Sequence, residues 1–323
     1  MAVSVTFSVI VPVYNRPDEI QELLESLTRQ TYTNFEVIVV EDGSSIRCDA
    51  VVDGYRDKLS IHYFFKPNSG PGPSRNFGSA KASGAFFVYV DSDCVMPSHY
   101  FQTVFKTISE SKADAWGGPD RGHPDFTPLQ QAMAYTMSSV LTTGGIRGSK
   151  RVAEKFQPRS FNMGISRKVF EATGGFFFDR LAEDIELSVR MRKAGFRVVL
   201  IEEAYVFHKR RTTLSQFYHQ VSGFGRGRVR VGKVHPGEVK GVHWFPAVFV
   251  FGGISLPVLL LASPLLTKLA AGMYLAYFFA VGADAWLTTK SVTVALLSIP
   301  SAMVQLAGYG TGFIREIVKT YIR

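Results

Sequence analysis

The sequence predicts an α/β fold, a Rossmann-like and mostly parallel sheet flanked by helices, followed by a C-terminal α-helical membrane region. Three observations carry this. Runs rich in β-branched and aromatic residues at Phe7–Val13, positions 35–40 and Phe86–Val90, the last without any charge, read as strands buried on both faces. Between the first two, Ile20, Leu23, Leu24 and Leu27 recur at helical spacing, and this β-α-β order implies parallel strands with a right-handed crossover. From Trp244 onward the chain holds long stretches with almost no charge.

The elements follow in order. The first run ends in the turn Tyr14-Asn15-Arg16-Pro17, and Asp18 is suited to cap the next helix. The second stops at Glu41-Asp42-Gly43-Ser44-Ser45. Asp42, at its end, is suited either to accept hydrogen bonds from a nucleotide base or ribose, or to serve as a turn or N-cap residue. A third short strand is expected over 61–65. Next comes Asn68-Ser-Gly-Pro-Gly-Pro-Ser-Arg-Asn-Phe-Gly78, a loop running into a helix near Pro73. Its backbone can approach a phosphate, and Arg75 offers a fork of donors to a diphosphate or a base carbonyl. It is not Gly-x-Gly-x-x-Gly after the first strand, which removes the main support for a dinucleotide-binding dehydrogenase.

The strand Phe86–Val90 ends in Asp91-Ser92-Asp93. Two carboxylates one residue apart at the end of a buried strand can aim together into the crevice where open α/β sheets bind ligands. Hard oxygens there suit Mg²⁺ or Mn²⁺ carrying a diphosphate; the alternative is a turn cap.

Charge is localised. Of the net +9, seven units lie between positions 209 and 242, where eight basic residues stand against Glu238 alone. A basic stretch before an apolar tail marks the cytoplasmic side of a membrane and attracts anionic headgroups. No nucleic-acid motif accompanies it, so nucleic acid is not an expected partner. Cys48 and Cys94 are too few for a disulfide framework and fit a reducing compartment. The N-terminus lacks the basic region and long apolar core of a signal peptide, so the first domain is expected in the cytoplasm.

Ser8-Val-Ile-Val-Pro-Val-Tyr-Asn15, Val39-Val-Glu-Asp-Gly-Ser44, the loop from Gly70 to Gly78 and Asp91-Ser-Asp93, in this order and spacing, resemble the nucleotide-binding half of family 2 glycosyltransferases. The resemblance implies a GT-A fold, a nucleotide-sugar donor, a divalent cation (Mn²⁺ or Mg²⁺) and inversion at the anomeric carbon. It makes Pro12, Tyr14, Asn15, Asp42, Arg75, Asp91 and Ser92 nucleotide-sugar-binding residues. Asp42 would contact the base, Arg75 the nucleotide, and Asp91 the ribose or donor sugar. Asp93, with Asp91, would hold the metal. Glu41 stands where the family motif usually begins its acidic pair with aspartate.

The acceptor half is expected over 98–215. It contains a helix at Tyr100–Ser111, a strand at 113–118, a strand at 161–166 and a helix at Arg167–Thr173 ending at Gly174-Gly175. The irregular stretch 120–158 reads as a mobile flap over the acceptor site, with His123 a loop residue. Glu183-Asp184 opens a further helix that stops at Gly195, where the helix dipole stabilises negative charge whatever its role. Family 2 enzymes carry such an acidic pair. The resemblance makes Asp184, with Glu183 beside it, the general base for the acceptor hydroxyl. After a strand at 197–201, His208 resembles the third metal ligand of related GT-A enzymes; the alternative is a histidine bonded to backbone. Gln220 to Arg228 occupies the position of the Gln-x-x-Arg-Trp motif of the family's synthases but lacks the Trp. Phe217, Val221 and Phe224, with Arg226, Arg228 and Arg230 following them, read instead as part of a basic amphipathic juxtamembrane segment over 216–243.

Three apolar segments follow within the membrane region 244–323, at 244–266, 269–286 and 292–314. The basic, amphipathic closing stretch from Arg315 should face the cytoplasm. Three crossings from a cytoplasmic start would put it outside. Either two segments cross and one is re-entrant or interfacial, or the positive-inside rule fails.

The expectation is a membrane-anchored inverting glycosyltransferase of the cell inner membrane, with a cytoplasmic catalytic domain at 1–215, of which 1–97 is the donor half. It would move a sugar, from a UDP-sugar as the commonest donor, to a lipid-linked or envelope glycan acceptor. Two alternatives stand beside it. A processive polysaccharide synthase would need more crossing helices and the intact synthase motif. A catalytically idle sugar-nucleotide-binding scaffold would have no need of Asp91, Asp93 and Asp184.

Overall fold

The computed structural model describes residues 7–122, 126–143 and 156–322. The chain separates into two compact units, Met1–His123 with Ala153–Lys209, and Pro124–Val152 with Arg210–Arg323. His123 and two parts of the expected flap, 123–125 and 144–155, lie outside the described residues.

Among the described residues the first unit has ten strands: β1 (Phe7–Val13), β2 (Phe35–Asp42), β3 (Ile61–Lys66), β4 (Phe86–Val90), β5 (Cys94–Val95), β6 (Ala115–Gly117), β7 (Asp120–Arg121), β8 (Asn162–Ser166), β9 (Val198–Leu200) and β10 (Val206–His208). Seven form one sheet in the order β3-β2-β1-β4-β8-β6-β9. It is parallel except where β8 pairs antiparallel with β4 and β6. Strand alternation sorts the side chains between two helical layers. On one face Val9, Val11, Val37, Val39, Val88 and Val90 meet α1 (Pro17–Thr28) and α4 (Tyr100–Ser111) through Leu23, Leu24, Leu27, Phe101 and Val104. On the other, Ile10, Ile38, Val40, Phe87 and Tyr89 meet α7 (Arg167–Thr173) and α8 (Glu183–Lys193) through Val169, Leu187 and Met191.

Each fully buried Val, Leu or Ile here contributes roughly 1.5–3 kcal/mol, so both faces are strongly fixed, and with them the ends of β1, β2 and β4. Gly78 of α3 (Pro71–Lys81) lets that helix lie on the sheet, because a Cβ there would stand 2.6 Å from Ile10 Cγ2. Pro12 is tolerated inside the sheet because the β1–β4 ladder ends at Ile10, two residues earlier.

Several boundaries differ from expectation. β2 runs on through Glu41 and Asp42, because β3 pairs with both, at Phe65 and Lys66. α3 starts at Pro71, whose missing N–H falls in the first turn where no helical partner exists. A short α2 (Asp49–Asp53) and a small sheet of order β5-β10-β7 were not legible in the sequence.

The second unit holds α5 (Pro128–Ser138), α6 (Val140–Thr143), α9 (Leu214–Val234), α10 (Phe245–Ala262), α11 (Pro264–Thr289) and α12 (Val292–Ile317). The acceptor half expected over 98–215 is therefore interrupted. Met133 and Met137 of α5 bury with Phe217 and Val221 of α9, so α5 belongs with the C-terminal helices. For the same reason α9 does not spread an apolar face on a membrane: Phe217, Val221, Val229 and Val231 are buried in protein. Three helical stretches, Gly241–Ala262, Pro264–Thr289 and Val292–Ile322, are long and apolar enough to cross a membrane.

Candidate active site

The site lies within the first unit, at the C-terminal ends of β1, β2 and β4, where ligands bind in open α/β sheets. Asp42 closes β2 with both oxygens engaged. Oδ1 accepts the Ser69 N–H at 2.9 Å and Oδ2 the Gly70 N–H at 2.8 Å, and the Lys66 ammonium pairs with Oδ1. Burial works against the charge on Asp42, but Lys66 and the two N–H groups outweigh it and hold its pKa below the ordinary value. Asp42 thereby anchors the glycine-rich loop. Gly70 takes a φ of +102°, and the Gly72 N–H donates to Asp179 O at 3.0 Å, tying the loop to the segment before α8.

Asn15 has a φ of +55°, and its Oδ1 accepts from the Ser45 and Ile46 N–H groups at 2.8 and 3.0 Å. Its own N–H donates to Ser44 Oγ at 2.8 Å, so Asn15 shapes the loop after β2, while the ring of Tyr14 stands exposed beside it.

Arg75 is 2% exposed and reaches two carboxylates. Nη2 donates to Asp91 Oδ1 at 2.7 Å and Nη1 to Glu183 Oε1 at 3.0 Å. Burial, with the charge of Asp184 adding to it, raises the Glu183 pKa against the opposing pull of Arg75. Asp184, the next residue, is buried. Its Oδ2 lies 2.8 Å from Arg159 Nε and accepts the Ser160 N–H at 3.3 Å, while Oδ1 accepts the Ile185 N–H at 2.7 Å. Leu181 and Ala182 both take positive φ, 63° and 64°, just before this pair. Two successive non-glycine residues in that region are strained backbone of the kind found at functional sites.

The Asp91-Ser92-Asp93 turn is closed by the Cys94 N–H donating to Asp91 O at 3.1 Å, with Ser92 buried in it. Asp93 Oδ2 accepts from Arg16 Nη1 at 2.9 Å, and Oδ1 is 3.2 Å from His208 Nε2. Burial lowers the His208 pKa, but the hydrogen bond and charge of Asp93, with Asp91 and Asp120 behind it, outweigh this and raise it. The donor set fits a hard divalent ion. Adjacent ligands of a six-coordinate ion with bonds of about 2.1 Å stand about 3 Å apart, close to the Asp93–His208 separation. His208 Nδ1 is also a buried ring nitrogen with no hydrogen-bond partner among the described residues. Cys94 Sγ lies in the same cluster, but burial, with Asp93 and Asp91 nearby, raises its pKa well above the usual thiol value. It stays a thiol, which is no ligand for such an ion.

The structure thus brings Arg75, Asp91, Glu183 and Asp184 into one connected group, with Asp93 on the adjoining turn and His208, from the end of β10, beside it. Arg16, Lys66 and Arg159, the cations set against Asp93, Asp42 and Asp184, escaped sequence reasoning. Arg16 stands inside the Asn15-Arg16-Pro17 turn, a signal that was available. Nothing marks Arg159 locally.

Residues 8–174, just over half of the chain, match the sequence model of Glycosyl transferase family 2. Over 150 residues the chain is 36% identical to the poly(ribitol-phosphate) beta-N-acetylglucosaminyltransferase TarS of Staphylococcus aureus, covering 41% of this chain and 26% of TarS. An uncharacterized glycosyltransferase of Rickettsia bellii is 38% identical over 104 residues, 32% of this chain and 15% of that one, so the chain spans only a small part of either relative. Glycosyltransferase AglE of Haloferax volcanii is 25% identical over 230 residues, 69% of this chain and 73% of AglE. Among solved structures, mannosyltransferase PcManGT from Pyrobaculum calidifontis in complex with GDP-Man and Mn²⁺ has a TM-score of 0.62 at 18% identity, covering 93% of this chain and 87% of that one. TarS 1-349 in complex with UDP-GlcNAc has a TM-score of 0.50 at 19% identity, covering 98% and 93%. At these identities the structural likeness speaks for the GT-A fold alone.

Proposed function

The chain belongs to glycosyl transferase family 2, and from that premise we propose that it is a membrane-anchored inverting enzyme that moves a sugar from a nucleotide-sugar to a hydroxyl of a lipid-linked or envelope glycan. The observation that carries this reading is Arg75, buried between Asp91 on the donor side and Glu183, the neighbour of Asp184. It joins the turn assigned to the diphosphate to a carboxylate pair 108 positions further along the chain.

Asp42 and the loop it anchors bind the nucleoside, and Asn15 shapes the facing loop. Asp93 and His208, with Asp91 on the same turn, would hold Mn²⁺ or Mg²⁺, which when bound supplies positive charge to offset the departing diphosphate. Asp184 accepts the proton of the acceptor hydroxyl as its oxygen bonds to the anomeric carbon and the bond to the diphosphate oxygen breaks. Glu183 keeps Arg75 oriented toward the donor. A UDP-sugar is the first donor to test: TarS is seen with UDP-GlcNAc, whereas PcManGT is seen with GDP-Man. The apolar helices and the basic stretch favour the cell inner membrane, with the catalytic unit cytoplasmic.

The deciding experiment is Asp184→Asn. Transfer should fall by at least the 10²–10⁴-fold typical of a lost general base, while nucleotide-sugar binding persists. Near-normal transfer would sink the base assignment. Thermal shifts with UDP-, GDP- and other nucleotide-sugars, with and without Mn²⁺, identify the donor, since a ligand bound only by the folded state stabilises it.

A further inference from the structure

The three long apolar stretches of the second unit are not equivalent. Protein covers 11% and 6% of the apolar windows of the first two, but 44% of the third. α10 and α11 pack as a hairpin about Ser263: the Tyr274 hydroxyl donates to Phe249 O at 2.6 Å, and the Phe249 ring lies 4.9 Å from Tyr274 and 5.9 Å from Phe278. The end of the hairpin is exposed apolar surface, with Leu261 at 90% and Leu260, Leu265 and Leu266 all exposed. α10 alone is about 27 Å long, close to the hydrocarbon thickness of a bilayer.

α12 is held differently, because α9 runs alongside it. A Cβ on Gly308 would stand 2.9 Å from Tyr218 O, one on Gly312 2.2 Å from Ser222 O, and one on Gly225 2.2 Å from Tyr309 O, so the two backbones nearly touch. The pairing advances in step along both helices, which therefore lie parallel. At the end of this seam Arg226 Nε and Arg230 Nε each donate to Glu316 at 3.1 Å. Because Tyr218 stands beside Gly308, α9 begins beside the middle of α12, and if α12 crossed the hydrocarbon with this partner, the first turn of α9 and the Arg210 and Arg211 that precede it would enter it too, where charge is expensive. What α12 leaves exposed on its apolar side is one stripe, Val292, Leu296, Met303 and Ile314, continued by Val318 just past its end.

We infer that only α10 and α11 cross the bilayer, as a hairpin, and that α12 lies at the membrane surface on the side from which α10 enters, with its apolar stripe toward lipid and its other side on α9. Two further features agree. Ser263 and Lys268 fall at the hairpin tip, where headgroups of the opposite leaflet would meet them. Near the returning end of α11, Asp284 accepts from the Tyr135 hydroxyl of α5 and from Ser139 Oγ, at 3.3 Å for the latter, so this carboxylate has left the hydrocarbon. Arg315 and Lys319 then share a side with the basic stretch before α10, as the charge rule requires. The inference stands whether or not the catalytic reading does.

The test is cysteine accessibility in the full chain, in sealed vesicles of known orientation, using a membrane-impermeant maleimide. Cys48 and Cys94 are buried, so the unsubstituted chain supplies the background. Ser263→Cys should label from one side only. Lys290→Cys and Tyr321→Cys should label from the other, each site becoming reactive on its protected side only after permeabilisation. Thr288→Cys reports the same turn as Lys290 should that variant not insert. Labelling of Tyr321→Cys from the side opposite Lys290→Cys would mean that α12 crosses. Labelling of Ser263→Cys from the Lys290 side would mean that the hairpin does not cross. Either result overturns the inference.

Discussion

Arg75 and Glu183, 108 positions apart in the chain, are joined by a 3.0 Å hydrogen bond between Nη1 and Oε1, with both residues buried. The other arm of the same guanidinium holds Asp91. A planar fork with donors on two edges can bridge two carboxylates in this way, and a lysine cannot. The consequence is geometric: the end of β4 and the start of α8 are held at a fixed separation before any substrate arrives.

Arg75→Met should therefore destabilise the chain by about 3–5 kcal/mol, the usual result of leaving a buried ion-pair partner uncompensated. Glu183→Gln in the same chain should recover part of that loss, because the stranded buried charge is then gone. Urea unfolding of the two single variants and the double variant measures the coupling. Additive effects would mean that the bond contributes nothing of its own.

Much of this site was legible because it rests on strand ends. Runs dominated by β-branched and aromatic residues located β1, β2 and β4, and the residues at or just beyond their ends, Asn15, Asp42 and Asp91 to Asp93, are where the sheet delivers its ligands. Arg75 was visible because a glycine- and proline-rich loop leads into its helix. Contacts that cross the chain were less legible. No local pattern told that Arg159 would face Asp184 or that Lys66 would face Asp42, since these pairings depend on sheet register and loop paths. The second unit misled for a related reason. The arginines at 226, 228 and 230 just after Phe217, Val221 and Phe224 suggest a membrane surface helix, but Phe217 and Val221 are buried with Met133 and Met137 of α5, and the glycines at 225, 308 and 312 let α9 lie close against α12.

Asp42 sets an acid limit. Its pKa is lowered on folding, burial being outweighed by Lys66 and the N–H groups of Ser69 and Gly70. A depressed carboxyl stabilises the fold fully above its unfolded value of about 3.9, and that contribution fades as pH falls through the folded value. Asp42→Asn should cost about 1–3 kcal/mol at neutral pH, the worth of hydrogen bonds to a charged group. The gap between the two proteins should narrow as pH drops from 5 toward 3 (about the carboxylate range). Urea midpoints across that range check it, and a gap constant with pH would contradict the assignment.

Gly72 and Gly195 separate steric from conformational demands. A Cβ on Gly72 would lie 2.0 Å from Phe178 O, a backbone atom that moves only if the segment before α8 moves. Gly195 has nothing within 4 Å but takes a φ of +77°. Gly195→Ala should cost about 1–2 kcal/mol of stability through left-handed strain alone, with kcat unchanged. Gly72→Ala should cost about 1–3 kcal/mol by overpacking and also lower kcat, because Glu183 and Asp184 follow the displaced segment. Equal kcat values for the two variants would show that the Gly72 contact plays no part in setting the carboxylate pair.

The ligand assignment at the β4 turn distinguishes three neighbouring side chains. Asp93 offers a hard oxygen and His208 a ring nitrogen, whereas the buried Cys94 thiol keeps its proton. With a nucleoside diphosphate present, Mn²⁺ at a hundredfold excess over its dissociation constant should stabilise the folded chain by about 2.7 kcal/mol. Asp93→Asn should abolish that increment, since the neutral amide cannot supply the anionic ligand, and His208→Gln should reduce it. Cys94→Ser should keep it, for the hydroxyl can occupy the thiol's place beside Phe161 O without entering the ligand set. Thermal unfolding with and without Mn²⁺, with direct Mn²⁺ titration read by electron paramagnetic resonance, separates these outcomes without depending on catalysis. If Cys94→Ser lost the increment while Asp93→Asn kept it, the hard-ligand reading of this turn would fail.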